Sequence, residues 1–157
     1  MKRMHIHIGV ENLDKSIRFY TALFDAQPVK TKADYAKWML DDPFVNFAIS
    51  TRSGKTGVDH LGFQVSDDAE LEQMRNRLEY ADMTVYDEGE ATCCYARSDK
   101  SWVEDPAGIA WETFQTMEDL QTFSSDEVTE RTACCLPDST IVPATTVSPG
   151  KPASPCC

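Results

Sequence analysis

The residues of this sequence able to do chemistry fall into two sets, histidines with one well-placed glutamate, and cysteines in pairs. The histidines are His5, His7 and His60, and the six cysteines stand as Cys93-Cys94, Cys134-Cys135 and Cys156-Cys157. A disulfide between sequence neighbours closes a strained small ring, far from ordinary bridge geometry, so these pairs are poor staples. They read as reduced thiols, which places the chain in the cytoplasm. Two adjacent thiolates suit a soft, thiophilic ion or metalloid.

The elements that must position these groups repeat. Met4 to Val10 alternates in the manner of a strand, and Leu13, Ile17, Tyr20 and Phe24 follow at helical spacing. Strand-like segments come next at Pro28 to Lys32, Tyr35 to Leu40 and Val45 to Ser50. A second unit opens at Val58 to Val65, and its helix puts Leu71, Met74, Leu78 and Ala81 on one face behind an Asp67/Glu70 capping arrangement. Strands are expected at Thr84 to Asp87, near Cys94 to Val103, and at Ile109 to Thr116. Placing Val10 over Val65 superposes His5 on His60, an offset of 55 residues. Two similar modules packed about a pseudo-two-fold axis would bring those first strands together.

Strand alternation puts His5, His7 and Gly9 on one face of the first strand, and His60 with Val58, Gly62 and Gln64 on one face of its partner. His7 aligns with Gly62 and has no symmetric histidine, so His5 is the better metal ligand. Glu112 shares a face with Ala110 and Phe114, and a carboxylate on an otherwise apolar strand needs a partner. It is the expected oxygen ligand beside His5 and His60.

Composition narrows the rest. The chain has 157 residues and a formal net charge of -11, which repels phosphate and argues against nucleic acid or an anionic membrane as partner. No apolar run approaches the roughly 20 residues of a membrane span, and the first residues show no signal-peptide core. All aromatic residues lie at or before Phe123, so the reading is a folded domain over 1-123, with modules at about 1-53 and 57-118. Residues 124-157, rich in Cys, Pro, Ser and Thr, are expected to form a disordered tail.

Two βαβββ modules, a first-strand histidine in each, and the closing run Asp105-Pro106-Ala107-Gly108-Ile109-Ala110-Trp111-Glu112 resemble the vicinal-oxygen-chelate superfamily of glyoxalases, extradiol dioxygenases and bleomycin- and fosfomycin-resistance proteins. The resemblance implies an α+β fold with a cup-shaped mixed sheet, built within one chain or between two, so that a homodimer is compatible with it. A glyoxalase-type site would take a fourth ligand from the first module's last strand, yet residues 43-50 hold no Asp, Glu or His. Two His and one Glu form the facial triad of non-haem Fe(II) oxygenases, with positions left for O2 and substrate.

The segments HIHIGVENLDKSIRFYTALF, YAKWMLDDP, VDHLGFQV, TCCYARSDKSWVEDPAGIAWETF and the Cys-paired tail are similar to a closer family, the organoarsenical C–As lyases and cadmium-induced proteins. That resemblance implies Fe(II) on His5, His60 and Glu112, a trivalent methyl- or aryl-arsenous acid held by Cys93 and Cys94, and O2-dependent breakage of the carbon–arsenic bond. Two thiolates need a loop or bulge to meet one arsenic, which Gly89 and the acidic run around it would supply. Tyr35, Tyr95, Arg97 and Lys100 are candidates to line the cup. Cys134, Cys135, Cys156 and Cys157 either capture metalloid or have no catalytic role. The competing readings are thiol-based sequestration of Cd(II) or As(III) without turnover, and another dioxygenase of the superfamily.

Overall fold

A computed structural model describes residues 1–93 and 95–119, with residues 91–93 and 118–119 described through their backbone alone. Cys94, the segment expected as a tail and its four cysteines lie outside the described residues. The chain forms β1 (Arg3–Gly9), α1 (Leu13–Phe24), β2 (Lys30–Lys32), β3 (Tyr35–Asp41) and β4 (Phe44–Ser50), followed by β5 (Gly57–Val65), α2 (Asp68–Tyr80), β6 (Tyr86–Cys93), β7 (Ala96–Glu104) and β8 (Ala110–Asp119). The eight strands make one mixed sheet in the order β2-β3-β4-β1-β5-β8-β7-β6. Each half is a βαβββ module, and β1 and β5 join them at the centre.

Both helices begin where short polar side chains offer an acceptor to an otherwise unpaired backbone N–H. Asn12 accepts from the Lys15 amide at 2.9 Å, and Asp67 accepts from the Glu70 amide at 2.8 Å. Glu70 does not turn back on Asp67 as a full capping box would; its carboxylate accepts from the Ser66 amide at 3.0 Å. The apolar stripe of α1 (Leu13, Ile17, Tyr20, Phe24) packs with Met4, Ile6 and Ile8 of β1 against Trp38, Leu40, Val45, Phe47 and Ile49. Each fully buried side chain of that size contributes about 1.5–3 kcal/mol. On α2, Leu71 is buried and Met74 and Leu78 are half-buried, whereas Ala81 caps the helix and is exposed.

The alternation of β1 that packs the half-buried Ile6 and Ile8 against the core under α1 turns His5, His7 and Gly9 to the opposite, buried face. Antiparallel pairing sets His5 across from Gly62, Ile6 across from Leu61 and His7 across from His60. Residues 55 apart are equivalent, so Ile6 and Leu61 are each other's counterpart and the pseudo-two-fold axis passes through their pair. His60's ladder neighbour is therefore His7, and His5 lies diagonal to it.

Two strands depart from simple alternation. The β1/β5 register slips between His7 and Ile8, which makes Asp59 an extra residue on β5. As a result Asp59 is 4% exposed and Val58 47% exposed, the reverse of the sequence expectation. The second is β6, which starts two residues later than expected and runs on to Cys93 through the acidic segment expected as loop. A bulge between Asp87 and Gly89 absorbs the irregularity, with Gly89 at φ 67° supplying the left-handed backbone that a glycine adopts without strain.

Gly62 is required by close approach. A β-carbon there would lie 2.0 Å from the Glu112 carbonyl oxygen on the neighbouring strand. Gly62→Ala is expected to force β5 and β8 apart and to lower stability by about 3 kcal/mol. An unchanged urea midpoint would show that the strands separate freely.

Candidate metal centre

Three side chains from three strands converge on the buried face of the sheet. The His5 and His60 Nε2 atoms are 3.2 Å apart, and Glu112 Oε2 lies 3.7 Å from the first and 3.5 Å from the second. All three residues are buried. A point equidistant from the three atoms lies about 2.0 Å from each, the length of a first-row metal bond to imidazole nitrogen or carboxylate oxygen.

The orientation of each imidazole is fixed from behind. His5 Nδ1 donates to the Asn46 carbonyl at 3.0 Å, and His60 Nδ1 donates to Asp59 Oδ2 at 2.9 Å. With each Nδ1 carrying its proton, both Nε2 lone pairs point at the same spot, as in metal-ligating histidines. Asp59 reaches His60 only because of the β5 bulge; on a regular strand the two side chains would stand on opposite faces. His7 does not point at the three-atom cluster. Its Nδ1 is 3.4 Å from Asp59 Oδ2 and its Nε2 3.1 Å from Ser50 Oγ, so it braces the group that braces His60.

Charge explains the protonation of the metal-free cluster. Glu112 is buried, which opposes its charge, but Lys100, with Nζ 2.6 Å from Oε1, and the two histidines hold its carboxyl well below the usual range. Burial pushes His60 down, yet its hydrogen bonds to Asp59 and Glu112 outweigh that, and the imidazole is pushed up to about 9. Two carboxylates against one ammonium leave a negative charge uncompensated, and the proton on His60 neutralises it. That proton occupies the nitrogen a metal would need.

The pseudo-symmetry also identifies what the first module lacks. β1 pairs with β4 so that His7 lies beside Ala48, and β5 pairs with β8 so that Gly62 lies beside Glu112. Because His7 and Gly62 are equivalent, Ala48 occupies the position of Glu112 in the other half. A buried methyl group stands where a fourth ligand would be.

Among the other expected cup residues, Tyr35 and Lys100 are buried and line the cavity beside His5 and Glu112. Arg97 is exposed, 3.9 Å from Glu90, and takes no part. Tyr95 is buried with φ 61° in the turn between β6 and β7. Its hydroxyl donates to Asp34, its carbonyl accepts from Lys30 Nζ at 3.0 Å, and its ring packs 5.7 Å from Tyr35. These contacts fasten the β6–β7 turn to the opposite edge of the sheet. The closing pair of that hairpin is Cys93 with Ala96, so β6 ends at Cys93. Asp59 and Asn46 carried no signal in the sequence, since their roles depend on strand register, whereas the lack of a fourth ligand was read from residues 43-50 and register only singles out Ala48.

An open mixed sheet of two βαβββ modules with a His, His, Glu cluster at their junction defines a class. The Glyoxalase/Bleomycin resistance protein/Dioxygenase superfamily matches residues 2–113, and the chain belongs to it. More particularly, it is 41% identical over 164 residues to a trivalent organoarsenical cleaving enzyme of Bacillus sp. (strain MD1), covering 100% of this chain and 99% of that one. It is 34% identical over 126 residues to the cadmium-induced protein CadI of Mycobacterium bovis, covering 80% and 83% of the two chains. The fold is similar to that of an extradiol ring-cleaving dioxygenase from B. fuscum, with a TM-score of 0.57 and 15% identity over 76% of this chain and 34% of that one. No helix among the described residues is long and apolar enough to cross a membrane.

Two predictions concern the cluster. A divalent ion must displace the His60 proton, so apparent affinity is expected to rise about tenfold per pH unit and to level off near pH 9. The protonated His60 stabilises the metal-free fold fully below about pH 6.5, and this contribution is lost as the pH rises through about 9. Chelator competition and urea midpoints across that range measure both, and flat profiles would contradict the assigned proton. Secondly, His5→Ala should weaken metal binding by more than about 100-fold and His7→Ala by about tenfold, because His7 acts through Asp59. Equal losses would place both histidines on the metal.

Proposed function

We propose that this protein is an Fe(II)-dependent enzyme that uses O2 to cleave the carbon–arsenic bond of trivalent organoarsenicals. The observation that carries the reading is the three-ligand cluster with Ala48 at the fourth symmetric position. Two imidazoles and one carboxylate on one side of a metal leave coordination positions for O2 and substrate, and this donor set with open positions is characteristic of non-haem Fe(II) oxygenases. Ferrous iron bound there would supply the electrons that let O2 react with a closed-shell substrate.

The chain's own residues do the remaining work. His5, His60 and Glu112 would hold the ion, while Asn46 and Asp59 keep each Nε2 lone pair directed inward. Cys93 and Cys94 would replace the two hydroxyls of an arsenous acid, forming two As–S bonds and releasing two waters. The As–C bond is then the only original bond left on arsenic, and two sulfur attachments fix its direction, which is how proximity lowers a barrier. The Tyr95 clasp supports this role by fastening the start of the strand that follows, beside the Cys93 end of β6. The substrate class is supported by the Bacillus relative's name and by its nearly full-length match. All three cluster atoms come from one chain, so this reading needs no second copy. Reduced thiols are required throughout, in keeping with a cytoplasmic setting.

The cadmium-induced relative favours one competing reading, sequestration through thiols without turnover. Anaerobic reconstitution with Fe(II), followed by oxygen uptake with an arylarsenous acid, separates the two. With enzyme in excess, single-turnover cleavage should fall at least about 100-fold in Cys93→Ser, Cys94→Ser and Glu112→Ala. Iron should remain bound in the two serine variants and be lost in Glu112→Ala. Full cleavage by the Cys93→Ser, Cys94→Ser double variant, or arsenical binding with no oxygen uptake in the parent, would reject the proposal.

A further inference from the structure

Glu112 divides its two carboxylate oxygens between different partners. Oε2 faces the histidine pair, 3.5 and 3.7 Å from their Nε2 atoms, while Oε1 is held by Lys100 Nζ at 2.6 Å. Lys100 is 4% exposed on β7. The β7/β8 register sets Trp102, two residues on, directly opposite Glu112. The ammonium thus reaches Glu112 diagonally, from the strand on the side away from the histidines. Burying an ammonium beside a candidate metal centre is electrostatically unfavourable for binding a divalent cation. A lysine in such a place must do something that an apolar side chain would not.

We propose that Lys100 is a positioning residue that limits Glu112 to a single metal bond. A carboxylate next to a metal binds through one oxygen or chelates through both, and chelation takes a second coordination position. With the ammonium on Oε1, only Oε2 is available, and one more position stays open to exogenous ligands. Ala48 and Lys100 then serve the same end, one by omitting a fourth ligand and the other by preventing Glu112 from acting as two. The inference rests on the reading that His5, His60 and Glu112 hold a metal, and it adds a specific reason for a buried positive charge that weakens that metal's binding.

Mn(II) serves as the probe, because its magnetic resonance line counts coordinated water through broadening in oxygen-17-enriched water. Parent protein, Lys100→Met and Lys100→Arg are loaded with Mn(II), and coordinated waters and affinity are measured for each. Lys100→Met is expected to lose one coordinated water and to bind Mn(II) at least about tenfold more tightly, since chelation is permitted and a nearby cation is gone. Lys100→Arg, which keeps the charge on Oε1, should retain the parent's water count. A purely structural role would instead weaken binding in Lys100→Met and leave the water count unchanged, and that result would overturn the proposal. A measurement on the parent alone gives an independent check. The infrared difference spectrum on Mn(II) binding should show the wide separation of carboxylate stretches typical of a single metal–oxygen bond, in bands absent from Glu112→Gln. A narrow separation would refute the inference even if no Lys100 variant folds. Failure of the parent to take up Mn(II) would count against the metal reading itself.

Discussion

The antiparallel pairing of β1 with β5 is the constraint on which the remaining architecture depends. Through it the two modules become one sheet, and the axis through Ile6 and Leu61 fixes which residues can meet across the junction. A shift of one residue would send His5 and His7 to the face of α1 and turn Ile6 and Ile8 toward the cup. Packing of the half-buried Ile6 and Ile8 against the first core therefore also determines where the imidazoles point. Apolar packing on one face specifies the geometry of the candidate metal cluster on the other.

The neighbouring strands complete that arrangement. β4 supplies the Asn46 carbonyl to His5, β8 supplies Glu112, and Gly62 lets β8 approach closely enough for the carboxylate to face His60. The Asp105 turn sets the start of β8. Asp105 Oδ1 accepts from the Ile109 amide at 3.0 Å and the Ala107 amide at 2.8 Å, and Oδ2 accepts from Trp111 Nε1 at 3.1 Å. Those amides, led by that of Ile109, hold the Asp105 carboxyl below its usual range. The turn that made the superfamily resemblance visible is thus also what delivers Glu112 in register.

Much of this was legible because periodicity reports burial. The stripe Leu13, Ile17, Tyr20 and Phe24 identified α1 and its buried face, and the repeat of 55 residues pointed to His5 rather than His7 as the partner of His60. What escaped was everything set by a bulge or by cross-strand register. Asp59 precedes His60, and regular alternation argues that neighbours diverge; only the slip in β5 lets them bond. The acidic stretch of β6 resembled a loop because its charges are compatible with solvent, yet Glu88 accepts from the Trp102 indole at 2.7 Å and the strand continues. Lys100 appeared as one of four cup candidates, with nothing local to indicate its bond to a residue 12 positions on.

Ala48 opposite Glu112 carries an implication of parity. A homodimer of a single module obeys its two-fold axis strictly, so any ligand at this junction would occur twice, and the number of ligands would always be even. Three ligands about such an axis require the two halves to carry different residues at equivalent positions. Covalent fusion of duplicated modules permits that, because each copy can then diverge independently. An odd-numbered set of candidate ligands, and the sidedness it gives to the cluster, is thus a property open to this single chain and closed to a symmetric pair of half-length chains.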